Sequence, residues 1–149
     1  MTGTFINRCP AMETFLDPTD SGNRITDVLY SDVTIVYNGV RYKGWLRFPP
    51  TKIRKNRLGR FTVDACTASG YIEGTGYLIQ VTLNPMNVIG PVAMPVKARG
   101  TCSVPVNGVP VALTITAEYP MVLSTPEGGG QWLVKSCEAT GTVSDEVTT

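Results

Sequence analysis

The sequence predicts an all-β protein with about eight short antiparallel strands, arranged as a β-sandwich or a closed β-barrel. Two observations carry this prediction: apolar and polar residues alternate with period two, and Gly, Pro and Asn punctuate the alternating runs. Helix signals are weak, because Pro10 and Pro18 bracket the one short candidate, 11–16, and leave room for a single turn. The short turns indicate hairpin connections and leave the choice between sandwich and barrel open.

The first clear hairpin is centred on Asn38-Gly39, a pair that readily adopts the positive φ angles of a type I′ turn. It joins a strand over 33–37 to one over 40–48. Counting outward from the turn divides the side chains between two faces. The face predicted to pack inward holds Val33, Ile35, Tyr37, Val40, Tyr42, Leu46 and Phe48. The opposite face is basic and carries a tryptophan; it holds Thr34, Val36, Arg41, Lys43, Trp45 and Arg47.

A second Asn-Gly turn, at 107–108, joins a strand over 102–106 to one over 109–117. Pro105 and Pro110 should lie opposite each other in a non-hydrogen-bonded pair, where the backbone N–H groups point away from the hairpin. Neither proline breaks the hairpin, but both prevent an outside strand from pairing there. We therefore expect the tip of this hairpin to project beyond its sheet and to be available for contacts.

The rest of the chain carries weaker strand signals. Strands are predicted over 60–66, 77–83, 121–123 and 131–139, with a less marked one over 24–30. The uncharged stretch 84–96 contains three prolines and should run extended along a surface or edge. Residues 142–149 lack an apolar period, so a single domain is predicted over 1–141 with a flexible tail after it.

Charge is segregated along the sequence in a way that the net charge of +1 conceals. All twelve acidic residues lie outside 33–63, whereas eight of the thirteen basic residues lie inside it. The segment therefore carries +8 and the remainder −7. A solvated sheet face normally mixes the two signs, so this basic segment predicts a binding surface for an acidic partner. Its members are Arg41, Lys43, Arg47, Lys52, Arg54, Lys55, Arg57 and Arg60.

The cysteine spacing and the absence of histidine argue against zinc sites and against histidine-ligated iron sites. The chain has no histidine and no C-x-x-C pair, so a structural zinc site is not expected. Four cysteines allow three disulfide pairings, and the sequence does not choose among them. Cys66 and Cys102 share phase with inward-facing apolar residues, which favours small buried hydrophobic side chains over disulfides. The widely spaced cysteines are Cys9, Cys66, Cys102 and Cys137.

No catalytic or cofactor motif rises above background. Without histidine, Ser-His-Asp and Cys-His catalysis are excluded. The carboxylates at Glu13, Asp17, Asp20, Asp27 and Asp32 lie in turn-like sequence, where Asp is expected as a capping residue. Glycine clusters at 70–76 and 128–130 lack the ending of a phosphate-binding loop. We expect a protein that is not an enzyme and that requires no cofactor.

The favoured function is that of a structural subunit in a self-assembling particle, such as a virion or phage particle. The basic segment would contact a neighbouring subunit, whose remaining surface is acidic, or packaged nucleic acid. A homo-oligomer or other assembly partners are expected. No span is apolar enough to predict a membrane partner or an export signal, and both a virion and the cytoplasm remain compatible locations. The predicted apolar subunit contacts are Met86, Val88, Ile89, Met94, Pro105 and Pro110.

The alternative function is binding of single-stranded RNA or DNA by an OB-like barrel. Outward residues on a strand repeat at about 7 Å, comparable to nucleotide spacing, and Trp45 could stack a base. The electrostatic track would comprise Arg41, Lys43, Trp45, Arg47, Lys52, Arg54, Lys55, Arg57 and Arg60. Two further possibilities are an edge strand protected by like charge and a small-molecule barrel with aromatic residues near its mouth. Those aromatic residues would be Tyr30, Tyr71, Tyr77 and Trp132.

Overall fold

The computed structural model describes residues 2–8, 12–16, 24–55, 61–88, 94–124, 133–136 and 138–145. In these residues the chain forms fourteen β-strands and no helix. The strands are β1 (Thr2–Arg8), β2 (Met12–Leu16), β3 (Arg24–Thr26), β4 (Leu29–Tyr37), β5 (Val40–Phe48), β6 (Lys52–Lys55), β7 (Phe61–Val63), β8 (Cys66–Ile72), β9 (Leu78–Leu83), β10 (Met86–Val88), β11 (Met94–Val106), β12 (Val109–Ser124), β13 (Leu133–Ser136) and β14 (Ala139–Asp145).

Eight of these strands close into an antiparallel barrel. Around the barrel each strand pairs with the next in the order β1, β4, β5, β8, β9, β11, β12 and β14. The circle is completed where β14 pairs with β1, for example at Asn7 and Ala139. The sequence left sandwich and barrel open, and the structure is a barrel. Closure removes the free sheet edges that would otherwise template pairing with another chain.

The six shorter strands prolong six of the eight barrel strands. The β4–β5 ladder pairs Leu29 with Phe48, and the β3–β6 ladder continues it in the same register by pairing Arg24 with Ile53. Register is likewise preserved from β5–β8 to β6–β7, from β8–β9 to β7–β10, and from β1–β4 to β2–β3. Strands β11 and β12 are long enough to run through both the eight-stranded barrel and its prolongation without a break. If each barrel strand is counted together with the short strand that prolongs it, the described chain is an up-and-down barrel with eight strand positions in sequence order. Six of these positions are made of two strands separated by an interruption.

Prolines lie where the ladders are interrupted, because proline has no N–H to donate. Pro49 and Pro50 separate β5 from β6, and Pro85 separates β9 from β10. Pro95 lies opposite Pro120 in the β11–β12 ladder, with the parity of the non-hydrogen-bonded pairs, so its missing donor faces outward. Among the described residues, β10 is paired with β7 and forms no ladder with β11.

Apolar side chains fill the barrel. In β5, Leu46 and Phe48 are buried while Lys43 and Arg47 are exposed, as the alternation predicts. Val40, predicted to pack inward, is 48% exposed beside the hairpin turn, so the prediction is wrong at this residue. The largest fully buried side chains are Tyr119, Phe5, Ile35, Leu46, Ile53, Ile72, Ile79, Leu113, Ile115, Val33 and Val81. Burial of this many aliphatic and aromatic groups is the main stabilising contribution to the fold.

Glycines allow the strands to approach closely. A Cβ added at Gly70 would collide with the carbonyl oxygen of Trp45 on β5. A Cβ added at Gly100 would collide with the carbonyl oxygen of Gln80 on β9. Side chains at these two positions would push neighbouring strands apart, so the narrow barrel depends on glycine there.

A polar network crosses the buried interior near the interruptions. The Asn7 side-chain amide donates to Ser31 Oγ and to the Asp32 carbonyl oxygen, both at 2.8 Å. Its oxygen accepts a 2.6 Å hydrogen bond from the Tyr119 hydroxyl, and both Asn7 and Tyr119 are fully buried. Tyr119 also packs edge-on against Phe48, with ring centroids 6.2 Å apart. Because each polar atom has a partner, the network links β1, β4 and β12 without a large desolvation cost.

Both predicted Asn-Gly hairpins are confirmed. Asn38 and Asn107 have φ angles of 54° and 52°, and the glycines after them are also positive. Pro105 pairs with Pro110 as predicted. The tip extends past its neighbours, since β9 pairs with β11 only as far as Cys102 and β14 with β12 only as far as Leu113 in the described chain. The tip is not free, however, because the Tyr42 hydroxyl donates a 2.8 Å hydrogen bond to the Pro105 carbonyl oxygen.

The structure differs from the sequence predictions at both ends of the chain. The candidate helical turn at 11–16 is strand β2 over Met12–Leu16, which lies between β13 and β3. Strand β1 was not predicted. Strand β14 extends to Asp145, so residues 142–145 belong to the barrel, whereas 146–149 lie outside the described residues. The apolar alternation of these segments is weak in the sequence, and long-range pairing makes them strands.

We predict that Asn7→Ala lowers the free energy of unfolding by about 2–3 kcal/mol, because it leaves the buried Tyr119 hydroxyl without its acceptor. Urea denaturation of the purified variant measures this change. Gln80→Ala, at an exposed polar position on β9, is the control and should shift stability by no more than about 0.5 kcal/mol. Equal, small effects in the two variants would contradict a stabilising role for the network.

Candidate interaction surface

The outer face of β5 carries the aligned part of the predicted basic surface. Arg41, Lys43 and Arg47 are exposed, and Trp45 is half-buried between them. They share one face because successive side chains of a strand alternate and Leu46 is directed into the core. The sequence prediction of which side chains share this outer face therefore agrees with the observed burial.

Trp45 lies within a row of exposed apolar side chains that crosses four neighbouring strands. It is paired with Tyr71 on β8, which in turn is paired with Leu78 on β9. Its ring centroid lies 5.6 Å from that of Tyr71 and 5.8 Å from that of Tyr30 on β4, with interplanar angles of 60° and 55°. Tyr30 is 61% exposed, Tyr71 44% and Leu78 61%. We call Tyr30, Trp45, Tyr71 and Leu78 the apolar strip.

The fold mixes the charges that the sequence separates. Asp32 lies on β4 directly opposite Trp45, so a carboxylate borders the apolar strip. Glu73 follows β8 and donates a 2.9 Å backbone hydrogen bond to the Lys43 carbonyl oxygen, which places a second carboxylate residue beside Lys43. In the described part of the chain, Arg41, Lys43, Arg47, Asp32 and Glu73 form no ion pair. The strip therefore has a rim of both signs.

The remaining predicted basic residues are distributed differently. Arg54 is paired with Asp64, its Nε lying 3.2 Å from Oδ1, and Lys52 is half-buried. Lys55 belongs to strand β6. Arg57 and Arg60 lie outside the described residues. Of the nine residues predicted for the electrostatic track, the structure brings Arg41, Lys43, Trp45 and Arg47 together on one outer face.

A groove of about 550 Å³ adjoins the strip on the outer side of β1, β4 and β5. Its charged lining comprises Arg8, Asp32, Arg41, Lys43 and Glu73. Arg8 is occupied by an ion pair with Glu138, with Nε 3.0 Å from Oε2. No group of three or more acidic, Cys or His residues capable of holding a metal is present in the described residues. The groove adds polar surface beside the strip, with charges of both signs.

The predicted apolar subunit contacts do not form one surface with the strip. Met86 and Val88 belong to β10, and Met94 begins β11. Pro105, half-buried, and Pro110, exposed, lie near the other end of the β11–β12 hairpin. At the rise of an extended strand, Met94 and Pro105 are about 35 Å apart along β11. Ile89 lies outside the described residues.

The described cysteines are unsuited to nucleophilic chemistry. Cys102 is buried, and burial raises the pKa of its thiol to about 12. Burial also raises the pKa of the half-buried Cys66 thiol, against a smaller lowering by a hydrogen bond with Thr51. Both are free thiols, and both are protonated at neutral pH, where the thiolate would be the reactive form. Cys9 and Cys137 lie outside the described residues.

Sequence reasoning named the members of the strip but did not assemble them. Tyr30 and Tyr71 were assigned to a possible barrel mouth, together with Tyr77 and Trp132. Both tyrosines lie on the outer wall instead, Tyr77 is half-buried, and Trp132 is outside the described residues. Leu78 was counted only as part of a strand. The register of four strands is needed to bring these residues into one row.

Comparison of the chain with protein-family models, curated proteins and solved structures finds no match. The described residues include no helix that is long and apolar enough to cross a membrane.

We predict that Cys102 resists alkylation by iodoacetamide at pH 8 in the folded protein, because its thiol is buried and protonated. Peptide mass mapping after a timed reaction measures the modification. The same protein unfolded in guanidinium chloride is the control and should be alkylated at Cys102. Rapid modification of folded Cys102 would show that its thiol is accessible and contradict this assignment.

Proposed function

We propose that this chain is a non-enzymatic structural subunit that self-assembles through the apolar strip on the outer wall of its barrel. The observation that carries the proposal is a row across four adjacent strands in which Tyr30, Tyr71 and Leu78 are exposed around the half-buried Trp45. Isolated exposed apolar residues are common on protein surfaces, whereas a contiguous row with a charged rim is typical of an interaction site.

The chemistry of the strip resembles the centre of a protein–protein interface. Tryptophan, tyrosine and arginine dominate the binding energy of such interfaces, and here Trp45 lies between two tyrosines with Arg47 adjacent on the same strand face. Contact between Trp45 and its neighbours already restrains the rings, so less side-chain freedom is lost on docking. A polar rim around such a centre supplies orientation more than affinity.

The mixed rim favours a protein partner over nucleic acid. A phosphate backbone is bound by cations, and carboxylates beside the same track repel it. Asp32 borders Trp45, and Glu73 lies next to Lys43. A protein surface of mixed charge can satisfy both signs. In a particle-type assembly of the kind expected from the sequence, this contact would be one of several interfaces between subunits.

Binding of single-stranded nucleic acid remains the alternative, supported by Arg41, Lys43 and Arg47 on the face that holds Trp45. The architecture is not that of an OB-fold, which has five strands in a Greek-key arrangement, because this barrel has eight strands that follow one another in sequence order. The tyrosines flank Trp45 at steep angles, so the rings do not form a parallel stack for successive bases.

We predict that Leu78→Asp shifts the protein from an associated state toward a monomer of 16.1 kDa, because it introduces a charge into the apolar strip. Size-exclusion chromatography with light scattering over a concentration series measures the mass. Leu78 is 61% exposed, so the variant should keep its fold. Val109→Asp, a matched change at a 60% exposed position on the β11–β12 tip, should leave association unchanged.

The same chromatograms separate the alternatives. A wild-type protein that remains monomeric at every concentration would refute self-assembly. Dissociation by Val109→Asp but not by Leu78→Asp would move the contact to the hairpin tip. A raised 260/280 nm absorbance ratio, together with oligonucleotide binding that Trp45→Ala and Lys43→Ala abolish, would favour the nucleic-acid alternative.

A further inference from the structure

We infer that the apolar strip docks against the same strip of a second copy, around a twofold axis parallel to β5 and β8. Trp45 then faces Tyr71 of the partner subunit, and Lys43 faces Glu73 of the partner subunit. This inference rests on the proposed function, because it specifies the partner and the geometry of that same surface. Association through the strip does not require Lys43 and Glu73 of different copies to meet, so their pairing is an additional prediction.

The register of β5 and β8 supplies the first argument. Trp45 is paired with Tyr71, and Arg47 is paired with Ser69. Lys43 and Glu73 extend the same ladder by one outward position, where the Glu73 N–H donates to the Lys43 carbonyl oxygen. The outward residues thus form three rows, about 7 Å apart along the strands. A twofold axis running between β5 and β8 exchanges the two strands and returns each row to itself.

Charge complementarity selects this axis. In the row of Lys43 and Glu73, the exchange brings each lysine to a glutamate of the other copy, which gives two attractive contacts. Neither side chain has an ion-pair partner among the described residues of its own chain. An axis perpendicular to the strands would instead place Arg47 against Lys43 of the partner subunit, and two cations would meet twice. Like charges at a contact are costly, so the parallel axis is favoured.

The central rows are complementary as well. The exchange places Trp45 against a tyrosine and Arg47 against Ser69 of the partner subunit. Aromatic pairs of this kind favour tilted or edge-on packing, which Trp45 already shows with Tyr71 in its own chain. The small Ser69 side chain, exposed on β8, leaves room for the guanidinium group.

Barrel shape is consistent with this arrangement. Barrel strands are tilted by about 40° to the barrel axis, so a twofold axis parallel to β5 and β8 makes the two barrels cross, and these two strands supply the centre of a compact contact patch. In an eight-stranded barrel each strand turns the surface by about 45°, so Tyr30 and Asp32 on β4 and Leu78 on β9 lie at the flanks. A twofold contact uses one strip from each copy and is complete at two chains. The contact area is small, so we expect a concentration-dependent dimer of micromolar or weaker affinity.

Reciprocal charge reversal tests the inference. Lys43→Glu and Glu73→Lys each create two like-charge contacts across the axis, and each should raise the dimer dissociation constant by about tenfold or more. An equimolar mixture of the two variants restores both attractive contacts, one in each half of the interface. It should therefore associate, as should the double variant with Lys43→Glu and Glu73→Lys together. Sedimentation equilibrium measures the dissociation constants, and circular dichroism confirms that each variant is folded.

Arg99→Glu is the matched control, since Arg99 is an exposed cation on β11, outside the strip. It should leave the dissociation constant unchanged. Single reversals that weaken association, with recovery in the mixture, support the twofold pairing. Wild-type association that Leu78→Asp disrupts but charge reversal does not would overturn the pairing and leave the proposed function standing. Assemblies larger than a dimer that Leu78→Asp disrupts would also overturn the pairing and leave the proposed function standing. A monomeric wild-type protein would overturn both.

Discussion

Closure of the barrel, in which the first described strand pairs with the last, is the constraint on which the other features depend. The β1–β14 ladder joins residues that are 132 or more positions apart in sequence, from Asn7 with Ala139 outward to Thr2 with Ser144. Once this ladder forms, each of the eight barrel strands in the described chain has a neighbour on both sides, whereas β10 is paired on one side only. Each strand then presents one face to the interior, and the side-chain period of two decides which residues are left outside.

The interior that closure creates is largely apolar but not uniformly so. Asn7 and Tyr119 are fully buried and satisfy each other, so strands from opposite ends of the chain share a hydrogen bond. Networks of this kind are most effective where all their polar atoms are paired, because a partly paired network carries the desolvation cost without the gain. Prolines solve the same problem in another way, because a proline has no backbone N–H to be paired. At the interruptions they allow a strand to end without leaving an unpaired N–H group.

The outer surface follows from the same register. Strand β5 carries a run of cations, but β4 pairs with it on one side and β8 on the other. Those neighbours supply Asp32 and Glu73, and Asp64 reaches Arg54. A segment that is uniformly basic in sequence becomes a surface of mixed sign in space. They also supply Tyr30 and Tyr71, whose rings contact Trp45 and place it in the apolar row on which the proposed subunit contact rests.

Local sequence by itself determined the all-β class, the two Asn-Gly hairpins, the opposed Pro105 and Pro110, and the alternation of β5, because turn chemistry and period-two patterning act between near neighbours. The sequence also identified the outward placement of Arg41, Lys43 and Arg47 through the same alternation. Tertiary structure alone decided that the sheet closes, that Met12–Leu16 is a strand, and that residues 142–145 complete the barrel. It alone decided that Trp45 contacts Tyr30 and Tyr71, with Asp32 opposite Trp45 and Glu73 beside Lys43. These outcomes depend on the register between strands far apart in sequence, and long-range pairing leaves little trace in the local pattern of a single strand.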